Sequence, residues 1–287
     1  MKPGALAYFR ADSVPQAVDL LVEGGMDAKV LAGGQSLVPM LNLRMVAAER
    51  LVDIGAVPDL KAWSANSKEV RIGACITHEQ IQLGEIADPS NGLMQKVAAA
   101  IAYQAVRNRG TIGGSLALAD PSADWVTTTA ALGATIEWQG PDGPGSSPAE
   151  EFVIAAYTTQ LGVSDLLTGI RIPRLDPEAK WGTCKICRKT GEFAHAMAMV
   201  IRAPEASRAF LGATDGAPIR LPHTGQVIGD LRDWQARQAK VLMDAMDADL
   251  SASGRELTDV RMWQSRTCLL RSVQMSFGVE AIEPESV

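Results

Sequence analysis

The chain has 287 residues, 47% of them hydrophobic, which is enough for two or three packing units around a sizeable core. Its 33 acidic and 27 basic residues leave a net charge of −6, which argues against bulk electrostatic attraction to nucleic acid or to an anionic membrane. Four cysteines do not make a disulfide scaffold, the uncharged run from Val97 to Val106 is too short to span a bilayer, and the N-terminus lacks the apolar run of a signal peptide, so a cytoplasmic protein is expected.

The first predicted element is a helix in DSVPQAVDLLVEGG. Ser13 caps its start with Gln16 completing a capping box, Val14, Ala17, Val18 and Leu21 share one face, and Gly24-Gly25 stop it. AKVLAGG reads as a short strand entering a glycine turn. SLVPMLNLRM starts a second helical pattern, with Leu37, Met40, Leu41 and Met45 at helical spacing and Pro39 tolerated in the first turn. RLVDI is a second short strand, closing a small α/β unit over residues 1–57. EVRIGACIT alternates, with Val70, Ile72 and Ala74 on one face. Thr77 caps the next helix, Gln80 fits a capping box, and His78 falls in an exposed first turn. LMQKVAAAIAYQAV reads as one buried, alanine-rich helix. DWVTTTAALGATIEW gives a helix, a stop at Gly133 and a strand. QGPDGPGSSP is the clearest loop, and DLLTGIRIP is a strand closed by Pro173, so residues 58–177 form a second unit with an antiparallel sheet. Beyond it, KWGTCKICRKTGEFAHAMAMVIRA reads as a strand, a Thr190-Gly191 turn and a second strand or helix. AFLGATDGAPIRL is turn-rich. DWQARQAKVLMDAMDADL and DVRMWQSRTCLLRSVQMSFGVEAI are helices, so residues 178–287 form a separate small α/β layer.

Two glycine-pair turns stand out. AGGQS places Gly33-Gly34 before Ser36, and RGTIGGS places Gly113-Gly114 before Ser115. A glycine pair permits positive φ and close approach of a ligand to the backbone. Successive amides in such a turn converge on an anion, a serine adds a hydroxyl donor, and a helix starting there adds its first amides. Two such turns from separate segments suit a diphosphate gripped from two sides. Neither G-x-G-x-x-G nor G-x-x-x-x-G-K-[ST] is present, so the ordinary dinucleotide fingerprint and the P-loop are excluded.

The remaining candidates have plainer readings. Residues three apart on a strand face opposite ways, so Cys184 and Cys187 share a metal only if a turn intervenes, and Cys75 and Cys268 sit in apolar surroundings. His78, His195 and His223 are scattered, with no nucleophile–base spacing. Arg107 and Arg109 either draw an anionic group or complement a solvated helix end. Met40, Met45, Met197 and Met199 are read as core filling.

AGGQSLVPMLNLRM with LVDI, VRNRGTIGGSLALADPSADW and YTTQLGVSDLLTGIRIP resemble, in that order, the FAD-binding medium subunit of the molybdenum hydroxylases. That family includes the carbon monoxide dehydrogenase, xanthine dehydrogenase and N-heterocycle hydroxylase enzymes. The last third matches more weakly, through KICRKTGEFAHAMA and AFLGATDGAPIRL. The resemblance implies an α+β, vanillyl-alcohol-oxidase-like (PCMH-type) FAD-binding fold of two α/β subdomains plus a small C-terminal α/β domain. It implies that Ala32, Gly33, Gly34, Gln35 and Ser36, with Leu37 next in line, form one pyrophosphate turn, and that Thr111, Ile112, Gly113, Gly114 and Ser115 form the other. It further implies Asp124 in contact with the adenosine side or with the loop that holds it, Leu167 and Lys185 near the flavin, and Phe193 against the isoalloxazine ring, in a position where tyrosine also occurs. The implied role is electron transfer with noncovalent FAD, fed by a small [2Fe-2S] subunit and a large molybdopterin subunit in an (LMS)2 heterohexamer, toward an external acceptor. The alternative is a self-contained PCMH-type flavin oxidoreductase with its own substrate.

Overall fold

The computed structural model describes residues 4–279. The chain opens with β1 (Ala7–Arg10), α1 (Val14–Gly24), β2 (Ala28–Leu31), α2 (Leu37–Asn42) and β3 (Arg50–Asp53). The strands form a three-stranded parallel sheet in the order β1-β3-β2, with Tyr8 opposite Leu51 and Val30 opposite Val52. Helix α1 is the expected one: Ala17, Val18 and Leu21 are buried, and the Gln16 amide donates to the Ser13 hydroxyl. The return bond goes one residue further out, from the Asp12 amide to Gln16 Oε1, so the capping box is displaced. The predicted face of α2 is not kept. Its helix ends at Asn42 and the backbone reverses at Arg44 (φ +58°), so only Leu41 is buried, Met40 is half-buried and Met45 is 69% exposed. Met40 and Met45 are therefore not core residues, whereas Met197 and Met199 are.

The middle of the chain supplies β4 (Trp63–Ala65), β5 (Glu69–Gly73), α3 (His78–Gln82), α4 (Leu93–Ala100), α5 (Gln104–Arg107), α6 (Ile112–Leu118), α7 (Asp124–Leu132), β6 (Thr135–Gly140), β7 (Gly143–Pro148), α8 (Ala149–Phe152), β8 (Val153–Ala155), β9 (Thr158–Thr159) and β10 (Leu166–Pro173). Five of these strands make an antiparallel sheet ordered β4-β5-β10-β6-β7. Val70 and Ile72 point into the core from β5, as the alternation requires. Two expectations are corrected. The glycine- and proline-rich stretch expected as a loop is the β6–β7 hairpin. Strand β7 lies at the sheet edge, where Pro144 and Pro148 need supply no amide to a further strand. The single helix expected from Leu93 to Val106 is broken at Ala102 (φ +43°) into α4 and α5.

The last part contains β11 (Lys180–Ile186), β12 (Ala196–Arg202), β13 (Arg208–Gly212), β14 (Ile219–Arg220), α9 (Pro222–Asp230), α10 (Gln238–Ser253) and α11 (Asp259–Ser276). The four strands form an antiparallel sheet in chain order, with α11 packed on β11 and β12. The turn-rich reading of 209–221 missed β13, whose Ala209, Phe210 and Leu211 are all buried. Residues 280–282 of the last predicted helix lie outside the described residues. Cys184 is on β11 and Cys187 lies beyond its end; all four cysteines are free. Among the described residues, no helix is long and apolar enough to cross a membrane.

Helix α7 links these layers. It is buried from Trp125 to Leu132, touches α4, α6 and β10 on one side, and touches β12 and β13 on the other. Gly212 on β13 lies so close to Thr127 that no side chain fits between the strand and the helix. Met199, Ile201 and Phe210 consequently join the core of the first two sheets, while a second core fills the space between the last sheet and α9–α11.

Candidate functional site

Strand β2 delivers the first glycine turn, Ala32–Ser36, to the surface. Gly34 adopts φ +72°, which glycine tolerates without steric cost. A Cβ at Gly33 would collide with the Arg109 carbonyl and lie 2.9 Å from Gly110 Cα. The first turn thus rests backbone-on-backbone against the segment leading into the second. Five consecutive amides, from Gly33 to Leu37, have no protein acceptor among the described residues. The Gln35 side chain turns back to donate to the Gly33 carbonyl at 3.1 Å, and Ser36 is exposed. Unpaired amides in a row need an acceptor from solvent or from a ligand.

The second turn is built differently. Thr111 caps α6 by accepting the Gly114 amide at 3.1 Å. The amides of Ile112 and Gly113 donate to the carbonyls of Ile76 and Ala74, both at 3.0 Å, and that of Ser115 donates to the Thr111 carbonyl at 3.1 Å. Residues 112–115 therefore do not form the expected second amide nest: two of these donors seat α6 against the strand β5 exit, and the other two are taken up by Thr111. Ile112 and Gly113 are buried, and only Gly114 and the half-buried Ser115 reach the surface. The two turns nevertheless face each other, since a Cβ at Gly114 would lie 3.8 Å from Ala32 Cβ. The cleft consists of a donor-rich first wall and a second wall made of a bare glycine and a hydroxyl.

From α6 the chain passes through the loop 119–123 to Asp124, the first residue of α7. The loop is held at several points. Ala119 (φ +52°) and Tyr157 (φ +56°) both occupy the left-handed region, and the Tyr157 amide donates to the Ala119 carbonyl at 2.9 Å. The Tyr157 hydroxyl donates to Asp120 at 3.2 Å, and the Ala213 amide donates to the Pro121 carbonyl at 3.0 Å. Left-handed non-glycine residues cost about 1–3 kcal/mol each and persist where surrounding structure holds them.

Asp124 meets Lys185 of β11, with both carboxylate oxygens 3.0 Å from Nζ. The two side chains are only 15% and 13% exposed. Burial pushes the Asp124 carboxyl above its ordinary value, and the Lys185 ammonium pulls it back down. Lys185 also reaches the Ala100 carbonyl at 3.4 Å, which ties the pair to the α4–α5 break. Arg107 braces the same break by donating to the carbonyls of Ile101 and Ala102, both at 2.9 Å. It is thus a backbone clamp, not a free anion receptor. The loop after β11 closes over this point: a Cβ at Gly191 would lie 2.8 Å from the Ala102 carbonyl oxygen. Phe193, two residues on, is 70% exposed. Leu167 is placed otherwise. Its side chain is buried in the main core beside the β10 irregularity and forms no open wall.

Sequence reasoning missed three participants. Ala102 and Tyr157 owe their places to backbone conformations that no residue pattern signals. The third is His78, expected as exposed but buried, where its Nδ1 accepts the Trp125 indole N–H at 3.0 Å. The one available signal was the tryptophan itself, 47 positions away, since an indole N–H out of water requires an acceptor.

Residues 4–175 match a family described as the FAD binding domain in molybdopterin dehydrogenase. Over 281 residues, covering 96% of this chain and 97% of the relative, the sequence is 32% identical to the carbon monoxide dehydrogenase medium chain of Afipia carboxidovorans. The fold superposes with a TM-score of 0.87 on a chain from carbon monoxide dehydrogenase of Hydrogenophaga pseudoflava, at 29% identity and covering 97% of this chain and 99% of that one. A chain of quinoline 2-oxidoreductase from Pseudomonas putida 86 gives a TM-score of 0.84 at 28% identity, covering 96% and 100%.

Proposed function

We propose, for a chain that belongs to the family of FAD-binding domains in molybdopterin dehydrogenases, that it is the flavoprotein medium subunit of a cytoplasmic molybdenum hydroxylase complex. It is an oxidoreductase component with the PCMH-type fold. The observation that carries the reading is the run of unpaired amides from Gly33 to Leu37 set across from Gly114. Diphosphate oxygens are acceptors only, and the amides of the first turn are donors only, so the two are chemically matched. Ala32, Gly33, Gly34, Gln35, Ser36 and Leu37 hold the diphosphate. Thr111, Ile112, Gly113, Gly114 and Ser115 bound it from the other side, where Gly114 admits it closely and Ser115 adds a hydroxyl. The buried Asp124–Lys185 pair fixes the wall between α7 and β11. Phe193 supplies an aromatic face, and Leu167 supports the cleft from the core. Neither turn contains histidine or cysteine, so the cofactor is held without a covalent link.

Bound FAD supplies redox chemistry able to handle electrons singly or in pairs, which suits a subunit between a [2Fe-2S] partner and an external acceptor. Two relatives carry the name medium chain, which supports one larger and one smaller partner chain; in this reading those partners are a large molybdopterin subunit and a small [2Fe-2S] subunit, in an (LMS)2 assembly. Purification of the tagged chain from its native host tests this reading. About one FAD per chain, with iron and molybdenum in two co-purifying chains, is expected. Flavin-free chain purified without metal-bearing partners, and unable to take up added FAD, would contradict it.

A further inference from the structure

The imidazole of His78 is a buried titratable group that the proposed function does not use. It lies between two parts of the cleft. On one side its ring supports the peptide entering the second turn: a Cβ at Gly110 would lie 2.8 Å from both His78 Nε2 and Cδ2. The backbone reinforces this contact, because the His78 amide donates to the Gly110 carbonyl at 2.9 Å and Thr77 bridges to Thr111. On the other side Nδ1 accepts the indole N–H of Trp125, the residue directly after Asp124. Trp125 is fully buried, and its indole is a donor with no acceptor capacity, so this bond determines the ring's tautomer. The charged group facing the ring is the Arg107 guanidinium, itself engaged by Gln82 and the Ile101 and Ala102 carbonyls. Burial and Arg107 together hold the imidazole neutral, with its pKa pushed down to about 4.

We infer that His78 is a positioning residue for the cofactor cleft: its ring, with Gly110 resting on one edge and the Trp125 N–H bound at the other, sets the spacing between the 111–115 turn and the Asp124–Lys185 pair. This rests on the reading of those segments as the FAD site. His78 is buried and acts through the two segments it separates.

The test compares the full chain with His78→Leu and His78→Asn. These side chains have the same branched outline, but only asparagine offers an oxygen where Nδ1 now accepts. FAD affinity and the circular dichroism of the bound flavin are measured. The expected result is an about ten-fold weaker Kd and an altered flavin signal for H78L, with H78N within about three-fold of wild type, as suits one buried donor left without a partner. A folded H78L with wild-type affinity and flavin signal would overturn the inference, as would equal weakening in both variants, which would leave volume as the cause. Should H78L not fold, Trp125→Phe removes the donor from the other side, and its unchanged affinity would overturn the inference equally. Failure of the wild-type chain itself to bind FAD would instead strike the functional reading.

Discussion

The Asp124–Lys185 pair is the side-chain contact on which the cleft depends most. Both groups are largely withdrawn from water, so deleting the cation strands a carboxylate that burial already disfavours. Lys185→Met is expected to destabilise the chain by about 3 kcal/mol in urea unfolding. The double variant with Asp124→Asn is expected to recover a large part of that loss, because no uncompensated charge remains. A single variant within about 0.5 kcal/mol of wild type would show the pair to be energetically idle. At this level the sequence was partly legible. The family resemblance singled out Asp124 and Lys185 separately, and the fold joins these two residues, 61 positions apart. Sequence reasoning misjudged His78, expected exposed and in fact buried, because whether a side chain faces solvent or a core depends on neighbours distant in sequence.

The two glycine turns look alike in sequence and differ in structure because β2 and α5 lead them into different surroundings. After β2 the amides of 33–37 find no protein acceptor among the described residues; at the start of α6 the amides of Ile112 and Gly113 meet the carbonyls of Ile76 and Ala74 and are consumed. Thr111 is the hinge of that second arrangement. Thr111→Ala removes the oxygen that accepts the Gly114 amide and is expected to cost about 1 kcal/mol of stability, measured by thermal or denaturant unfolding. Unchanged stability would mean that the amide finds solvent at no cost. Most elements were legible from caps and periodicity: the Ser13 and Thr77 caps and the Gly25 and Gly133 stops all appear. The failures were the β6–β7 hairpin and the break at Ala102. In the first, an edge position relieves proline of its usual penalty in a strand. In the second, tertiary contacts from Arg107 and Gly191 hold an alanine at positive φ against its local preference.

For the molecule as a unit, burial of a neutral histidine makes stability depend on pH. The folded-state pKa of His78 lies near 4 and the unfolded value near 6.5. Between these values the unfolded chain binds the additional proton, so stability is undiminished above about pH 6.5 and falls as the pH drops toward 4. Asp124 works in the opposite sense, since its raised carboxyl takes up a proton in the folded state first. The difference in unfolding free energy between wild type and H78L isolates the histidine: it is expected to shrink on acidification by up to about 1.4 kcal/mol per pH unit. A difference independent of pH from 6.5 to 4 would contradict a neutral, buried ring. Helix α7 is the feature that makes such local events matter globally, since it carries Asp124 and Trp125 and packs against both halves of the chain. The central claim, that one donor-rich turn and one bare-glycine turn close on a diphosphate, is tested most directly by titrating the 15N-labelled chain with FAD and tracking the amides of Gly33 to Leu37. Downfield shifts and slowed hydrogen exchange confined to these amides and their neighbours across the cleft are the expected result. FAD binding that leaves those five amides unmoved would contradict the account.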